Sequence, residues 1–118
     1  MQTLKKRRDF LNIASTGIKW VTPAFAIQMG CDFVCTKPVI GYTATRKIGG
    51  AVQRNRAKRR MRALAAELFP TQGRKNSGYV LIARKSMVSK KYVELQADLK
   101  WALKRMHQQW DEAHENST

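Results

Sequence analysis

Residues 54–69, "RNRAKRRMRALAAELF", read as one helix with two characters. Ala57, Met61, Leu64, Ala65 and Leu68 recur at spacings that place them on a single core-facing stripe. The helix is expected to begin near Ala51, after Gly49 and Gly50, and to end at about Phe69, where Pro70 and Gly73 stop it. Its opening half carries six cations in the nine residues 54–62. At about 100° per residue, Arg54, Lys58 and Arg62 line one edge with Asn55 and Arg59 beside them. Arg56 and Arg60 fall on the other flank of the apolar stripe.

That placement is unfavourable for an isolated helix. Cations near a helix N-terminus oppose the macrodipole, each by roughly 0.3–1 kcal/mol at low salt. Like charges four residues apart, such as Arg54 with Lys58 and Lys58 with Arg62, add a few tenths each. Glu67 is the sole acid in the helix and lies beyond the cluster. A polyanion reverses the sign of every one of these terms. Arginine adds bidentate contacts to phosphate and can stack on bases, which suits RNA.

The surrounding segments supply a sheet and two more helices. Residues 9–15, with Phe10, Leu11, Ile13 and Ala14, predict a short amphipathic helix followed by Gly17. Residues 25–29 predict a strand after Pro23. Residues 39–45 alternate, with Ile40, Tyr42 and Ala44 on one face and Gly41, Thr43 and Thr45 on the other. A further short strand is expected around residues 46–48. The apolar run "YVLIA" at 79–83 predicts a central strand. Tyr92, Leu95, Leu99, Ala102, Leu103, Met106 and Trp110 form the stripe of a long last helix, and residues 115–118 are expected to fray. The whole predicts a single domain over residues 1–118, an α/β sandwich of helices packed on a small sheet.

Composition narrows the function. The chain has 118 residues and a formal net charge of +15, from 23 Lys+Arg against 8 Asp+Glu. Self-repulsion on that scale favours an anionic partner. No membrane role is expected, because the longest uncharged run, residues 20–31, is interrupted by Thr, Pro, Gln and Gly and falls short of the about 20 apolar residues a span needs. The basic N-terminus lacks a signal-peptide core, so a cytoplasmic location is expected. Cys31 and Cys35 read as small apolar residues, and two cysteines with the distant His107 and His114 make no zinc site. Both histidines read as surface residues of the last helix. Five of the eight acids, Glu94, Asp98, Asp111, Glu112 and Glu115, lie in or just after that helix, and none clusters near the basic face.

Read together, "RKIGGAVQRNRAKRRMR" at residues 46–62 resembles the signature of the bacterial ribonuclease P protein subunit. Lys47, Gly49, Ala51, Val52, Arg54, Asn55, Arg56, Lys58, Arg59 and Arg62 match that family's pattern without a gap. "RRDF" near the start, "IGYTAT" before the signature and "LIARK" after it fall in the family's order. The resemblance implies a two-layer sandwich with a left-handed crossover, against the usual handedness. It implies a subunit that binds a large catalytic RNA and the 5′ leader of precursor tRNA, in an endoribonuclease that makes the mature tRNA 5′ end. The RNA would hold the catalytic Mg²⁺ and the protein would supply no catalytic side chain. No protein partner is expected to be required.

The residues implied for the RNA are Arg46, Lys47, Arg54, Asn55, Arg56, Lys58, Arg59, Arg60 and Arg62. The resemblance places the leader in a cleft between the first helix and the sheet. Phe10 and Phe25 are the candidate stacking rings, each equally readable as a core residue on spacing alone, with the resemblance favouring Phe10. Thr43, Thr45 and Arg46 are candidates if that sheet face is the cleft. Ala14 and Gln28 stand where the family often has aromatics, which removes stacking platforms. A structural RNA-binding protein, such as a ribosomal protein, explains the charge equally well but not the ordered match. A protein-only nuclease would want clustered carboxylates or a His/Lys pair. A duplex-DNA reader would want helix-turn-helix spacing.

Overall fold

Alternation along residues 39–43 sets the sheet's two faces. In the strand Val39–Thr43 (β4), Ile40 is buried in the larger core and Tyr42 packs beside it, while Gly41 lies under the Phe10 ring on the opposite face. The computed structural model describes residues 2–4, 6–31, 39–74 and 77–115. Five strands form one sheet: Gln2–Thr3 (β1), Ile18–Val21 (β2), Phe25–Cys31 (β3), β4 and Ser77–Ala83 (β5), in the order β1-β4-β5-β3-β2. β5 is central, parallel to β4 and antiparallel to β3. Its run is apolar because both sides are covered: Tyr79, Leu81 and Ala83 enter the larger core, and Val80 and Ile82 the smaller one.

Among the described residues three α-helices cover the sheet: Arg7–Thr16 (α1), Ala51–Gln72 (α2) and Tyr92–Glu115 (α3). α2 carries the chain from β4 to the adjacent parallel strand β5. Ala57, Met61, Leu64, Ala65 and Leu68 are buried, as their spacing requires, and Phe69 joins them. Leu95, Leu99, Ala102, Leu103 and Met106 of α3 are buried in the same core, with Tyr92 and Trp110 at its margin. α2 and α3 thus make the expected sandwich with one face. α1 crosses the other face, with Ile13 buried in a small cluster with Leu4 and Val80.

The structure corrects several boundaries. β1 and β2 are unforeseen edge strands, and β4 ends at Thr43 instead of Thr45. Residues 46–48 form a 3₁₀ turn in place of a strand. α2 continues through Pro70 to Gln72 and closes with the Gly73 N–H on the Phe69 carbonyl at 2.9 Å. Pro70 removes one hydrogen bond, to the carbonyl of the exposed Ala66. Phe69, wholly buried and edge-on to the Tyr79 ring at 4.8 Å, holds the last turn in place. Residues 32–38, including Asp32 and Cys35, the Cys31 and His114 side chains, and the tail from 116 lie outside what is described.

Candidate nucleic-acid interface

Burial of the α2 stripe forces the cations outward. Asn55, Arg59 and Arg62 are exposed and Lys58 half-buried, and the four line a shallow open depression of about 410 Å³. The Arg62 guanidinium lies 5.8 Å from the centre of the Tyr42 ring, a cation–π contact that fixes this edge against β4. Burial raises the Tyr42 pKa, and the Arg62 charge opposes that shift. Glu67 does not neutralise the cluster. Its carboxylate accepts from Tyr92 Oη at 3.2 Å and from Gln96 Nε2 at 2.7 and 2.9 Å, and so links α2 to α3. Arg54 is half-buried with its Nε sealed and unpaired among the described residues.

The second edge divides. Arg60 donates to the carbonyls of Met87 at 3.0 Å, Val88 at 2.9 Å and Lys90. Burial, and then the neighbouring Arg56 charge, pull its pKa below the usual guanidinium value. Arg60 is therefore a strut for the segment that enters α3, a structural role that the sequence reading did not anticipate. Arg56 remains exposed and, among the described residues, spends only Nε, on Val88 O at 3.1 Å. Together with Arg59, Arg60, Ala63 and Tyr92 it borders a second open depression, of about 390 Å³.

A short turn sets the next two cations. Ile48 is buried in the core, which points Arg46 and Lys47 outward, and both are exposed. Gly49 closes the turn with its N–H on Arg46 O at 3.1 Å and φ of 142°, a left-handed conformation that glycine adopts without strain.

The opposite face carries a partly open floor. α1 covers it from Phe10, over Gly41, to Ile13, over Gly30. Beyond α1, cross-strand register aligns Val21, Ala26, Ile82 and Thr43 in one row. Ala26 is buried, Ile82 and Thr43 are half-buried and Val21 is exposed. The structure brings Phe10 and Thr43 to this face, with Thr45 and Arg46 exposed just beyond the end of β4. It does not bring Phe25 there. Phe25 alternates with Ala26, points into the larger core with Ile27 and Met29, and is 0% exposed. A base has no access to its ring, so Phe25 is corrected to a core residue. Val21 and Ile82 were missed as floor residues because they are visible only once β2 and β5 are paired to β3.

His107 also departs from expectation. It is half-buried, and Tyr79 Oη lies 2.8 Å from its Nε2 while accepting the Arg74 N–H at 3.0 Å. Burial, then the Arg74 charge, lower the His107 pKa to about 4 against a smaller opposing pull from Asp111. The ring is neutral at pH 7 and shares one proton with Tyr79 Oη across this contact, the tautomer setting which of the two donates. This is a structural bond at the far end of α3 from the basic half of α2. Among the described residues no three His, Cys, Asp or Glu side chains come together as metal ligands. Nor is any described helix long and apolar enough to cross a membrane.

Cations on two edges of a rigid helix and on the turn before it, backed by a sheet, define a nucleic-acid-binding α/β protein. The ribonuclease P family model matches residues 1–107. The ribonuclease P protein component of Paramagnetospirillum magneticum is 38% identical over 110 residues, covering 90% of this chain and 83% of that protein. The component from Ruegeria pomeroyi is 36% identical over 109 residues, covering 91% and 87%. The solved ribonuclease P protein of Thermotoga maritima superposes with a TM-score of 0.76 at 26% identity, covering 89% of this chain and 97% of that one. The chain belongs to the ribonuclease P protein family. It is a protein subunit of that ribonucleoprotein endoribonuclease and associates with ribonuclease P RNA.

Proposed function

We propose that the subunit uses its two faces on two RNAs. The outer surface of α2, through Asn55, Arg56, Lys58, Arg59 and Arg62 with Arg54 behind them, and the turn through Arg46 and Lys47, bind the catalytic RNA. The open part of the sheet face beside α1 holds the single-stranded 5′ leader of precursor tRNA. The observation that carries this reading is the α2 surface itself: six cations in nine residues, whose nearest helix acid is turned away into bonds with Tyr92 and Gln96.

Each contact has a simple chemistry. Phosphates displace counterions from the α2 cations and supply the acceptors those guanidinium groups lack. On the other face Phe10 offers a ring edge and Thr43 and Thr45 offer hydroxyls, while Arg46 reaches the backbone of the strand. The floor of Val21, Ala26 and Ile82 is aliphatic, and Gln28 stands among its neighbours, so leader bases rest on it without deep stacking. The described side chains bring no metal-ligand cluster to either face, and Mg²⁺ is assigned to the RNA and substrate. The protein acts by positioning, in the cytoplasm and without another protein.

Reconstitution tests the reading. The purified chain is added to a bacterial ribonuclease P RNA at limiting Mg²⁺, and cleavage of a precursor tRNA with a 5′ leader is followed. Restored cleavage at the mature 5′ end, with none from the protein alone, supports it. RNA binding without any change in cleavage would replace it with a structural RNA-binding role.

A further inference from the structure

A second cation-rich surface lies on α3. Its core stripe consumes Leu95, Leu99, Ala102, Leu103 and Met106, so residues 97, 100, 101, 104 and 108 turn outward. Trp101 is 56% exposed, and the Arg105 guanidinium lies 5.7 Å from its ring centre. Lys100 and Lys104 are exposed beside it. Between Asp98 and Asp111 the helix has three Lys or Arg and no acid. The two flanking carboxylates are already engaged, Asp98 with Lys90 at 2.8 Å and Asp111 with Arg74 at 2.6 Å. Among the described residues no carboxylate pairs with Lys100, Lys104 or Arg105.

Its position separates it from the basic half of α2. Arg60 reaches residues 87–90, Glu67 reaches Tyr92 and Gln96, and Arg74 reaches Asp111, so the two helices run side by side in one direction. Trp101 stands nine residues past Tyr92, about 13 Å further along the axis. An aromatic ring among cations is the combination that holds single-stranded nucleic acid, the ring under a base and the cations on the flanking phosphates. A membrane-lying helix would need a broad apolar face, and here the face is one ring amid charge.

We propose that this face of α3 is a second docking point for the catalytic RNA. One unpaired base stacks on Trp101, and Lys100, Lys104 and Arg105 hold the phosphates on either side. The proposal rests on the chain's role as the subunit that binds ribonuclease P RNA. An unpaired nucleotide is specified because a paired base in an RNA helix presents no free ring face.

The test measures binding of the full chain to a bacterial ribonuclease P RNA transcript across a range of KCl, with chemical probing of the RNA. Trp101→Ala should weaken binding about 5- to 100-fold and expose one local RNA position, while Trp101→Phe recovers most of the loss. Lys100→Ala/Lys104→Ala should lower the salt slope by roughly 1.4. All four side chains are exposed, so melting temperatures should hold, and the lysine variants report even where Trp101→Ala is poorly folded. Unchanged affinity and footprint in Trp101→Ala, with Arg59→Ala still weakened, overturns this proposal and leaves the subunit reading intact. Failure of the wild-type chain to bind the RNA overturns both. Loss of self-association in ultracentrifugation, with RNA binding unchanged, assigns the face to a second protein copy and also overturns it.

Discussion

The Phe10 ring rests directly on Gly41: a Cβ at position 41 would stand 2.5 Å from ring atoms Cε1 and Cζ and 3.2 Å from Leu4 Cβ. Glycine at 41 is what lets α1 lie close to the sheet. Gly41→Ala should therefore lever Phe10 out and loosen α1, at a cost of about 1–3 kcal/mol. The contact itself is tested by a double-mutant cycle, because Gly41→Ala should cost distinctly less in a Phe10→Ala background. Additive losses in denaturant melts would show that the two residues do not meet.

Arg59 and Arg60 are neighbours in sequence with opposite employment. Arg60 holds three backbone carbonyls of residues 87–90, whereas no side-chain hydrogen bond ties the exposed Arg59 to another described residue. Arg60→Ala should lower Tm by roughly 4 °C or more, through lost charge-assisted hydrogen bonds. Arg59→Ala should leave stability within about 0.5 kcal/mol and weaken RNA assembly by roughly tenfold. Thermal melts and filter binding on the pair decide it, and equal RNA affinity for wild type and Arg59→Ala would remove that edge of α2 from the interface.

The contrast between those two arginines marks where sequence reading stops. The α2 stripe was legible because Ala57, Met61, Leu64, Ala65 and Leu68 repeat at helical spacing, and all five are buried. β5 was legible because a run covered on both faces needs no polar alternation. β2 was not, since Ile18, Lys19, Trp20 and Val21 form a four-residue edge strand that exists through its pairing with β3. Arg60's role depends on carbonyls 27–30 residues away, which no local pattern encodes. Phe25 was readable in principle: it shares strand parity with Ile27 and Met29, and that parity places it in the core.

The half-buried Tyr79–His107 bond makes stability pH-dependent. The His107 pKa in the folded chain, about 4, lies below its unfolded value of about 6.5, so the unfolded chain binds the extra proton first. The contribution is complete above about pH 6.5, declines as pH falls toward 4, and is gone below it. With the ring only half-buried, the loss should be about 1–2 kcal/mol. His107→Gln keeps a hydrogen-bonding partner for Tyr79 without the titration. Its stability should fall less than that of wild type between pH 6.5 and 4.5, and parallel profiles would exclude the ring as the titrating group.

The last prediction concerns the charge on α2. The first turn of the helix contains no acid, and its N-cap residue, Gly50, makes no side-chain bond. Among the described residues no carboxylate pairs with the cations at residues 54–62, so an anion that binds them stabilises the native state by mass action. Sulfate or phosphate should raise Tm more than chloride does at equal ionic strength, because screening alone is common to all three. Arg59→Glu removes one cation and adds an anion in the middle of the cluster. It should raise the low-salt Tm and shrink the sulfate effect, whereas a charge reversal at Arg105, on α3, should leave the sulfate effect on α2 intact. Melts in matched chloride and sulfate buffers measure both, and identical curves for wild type in the two salts would show that the helix carries its charge without help from anions.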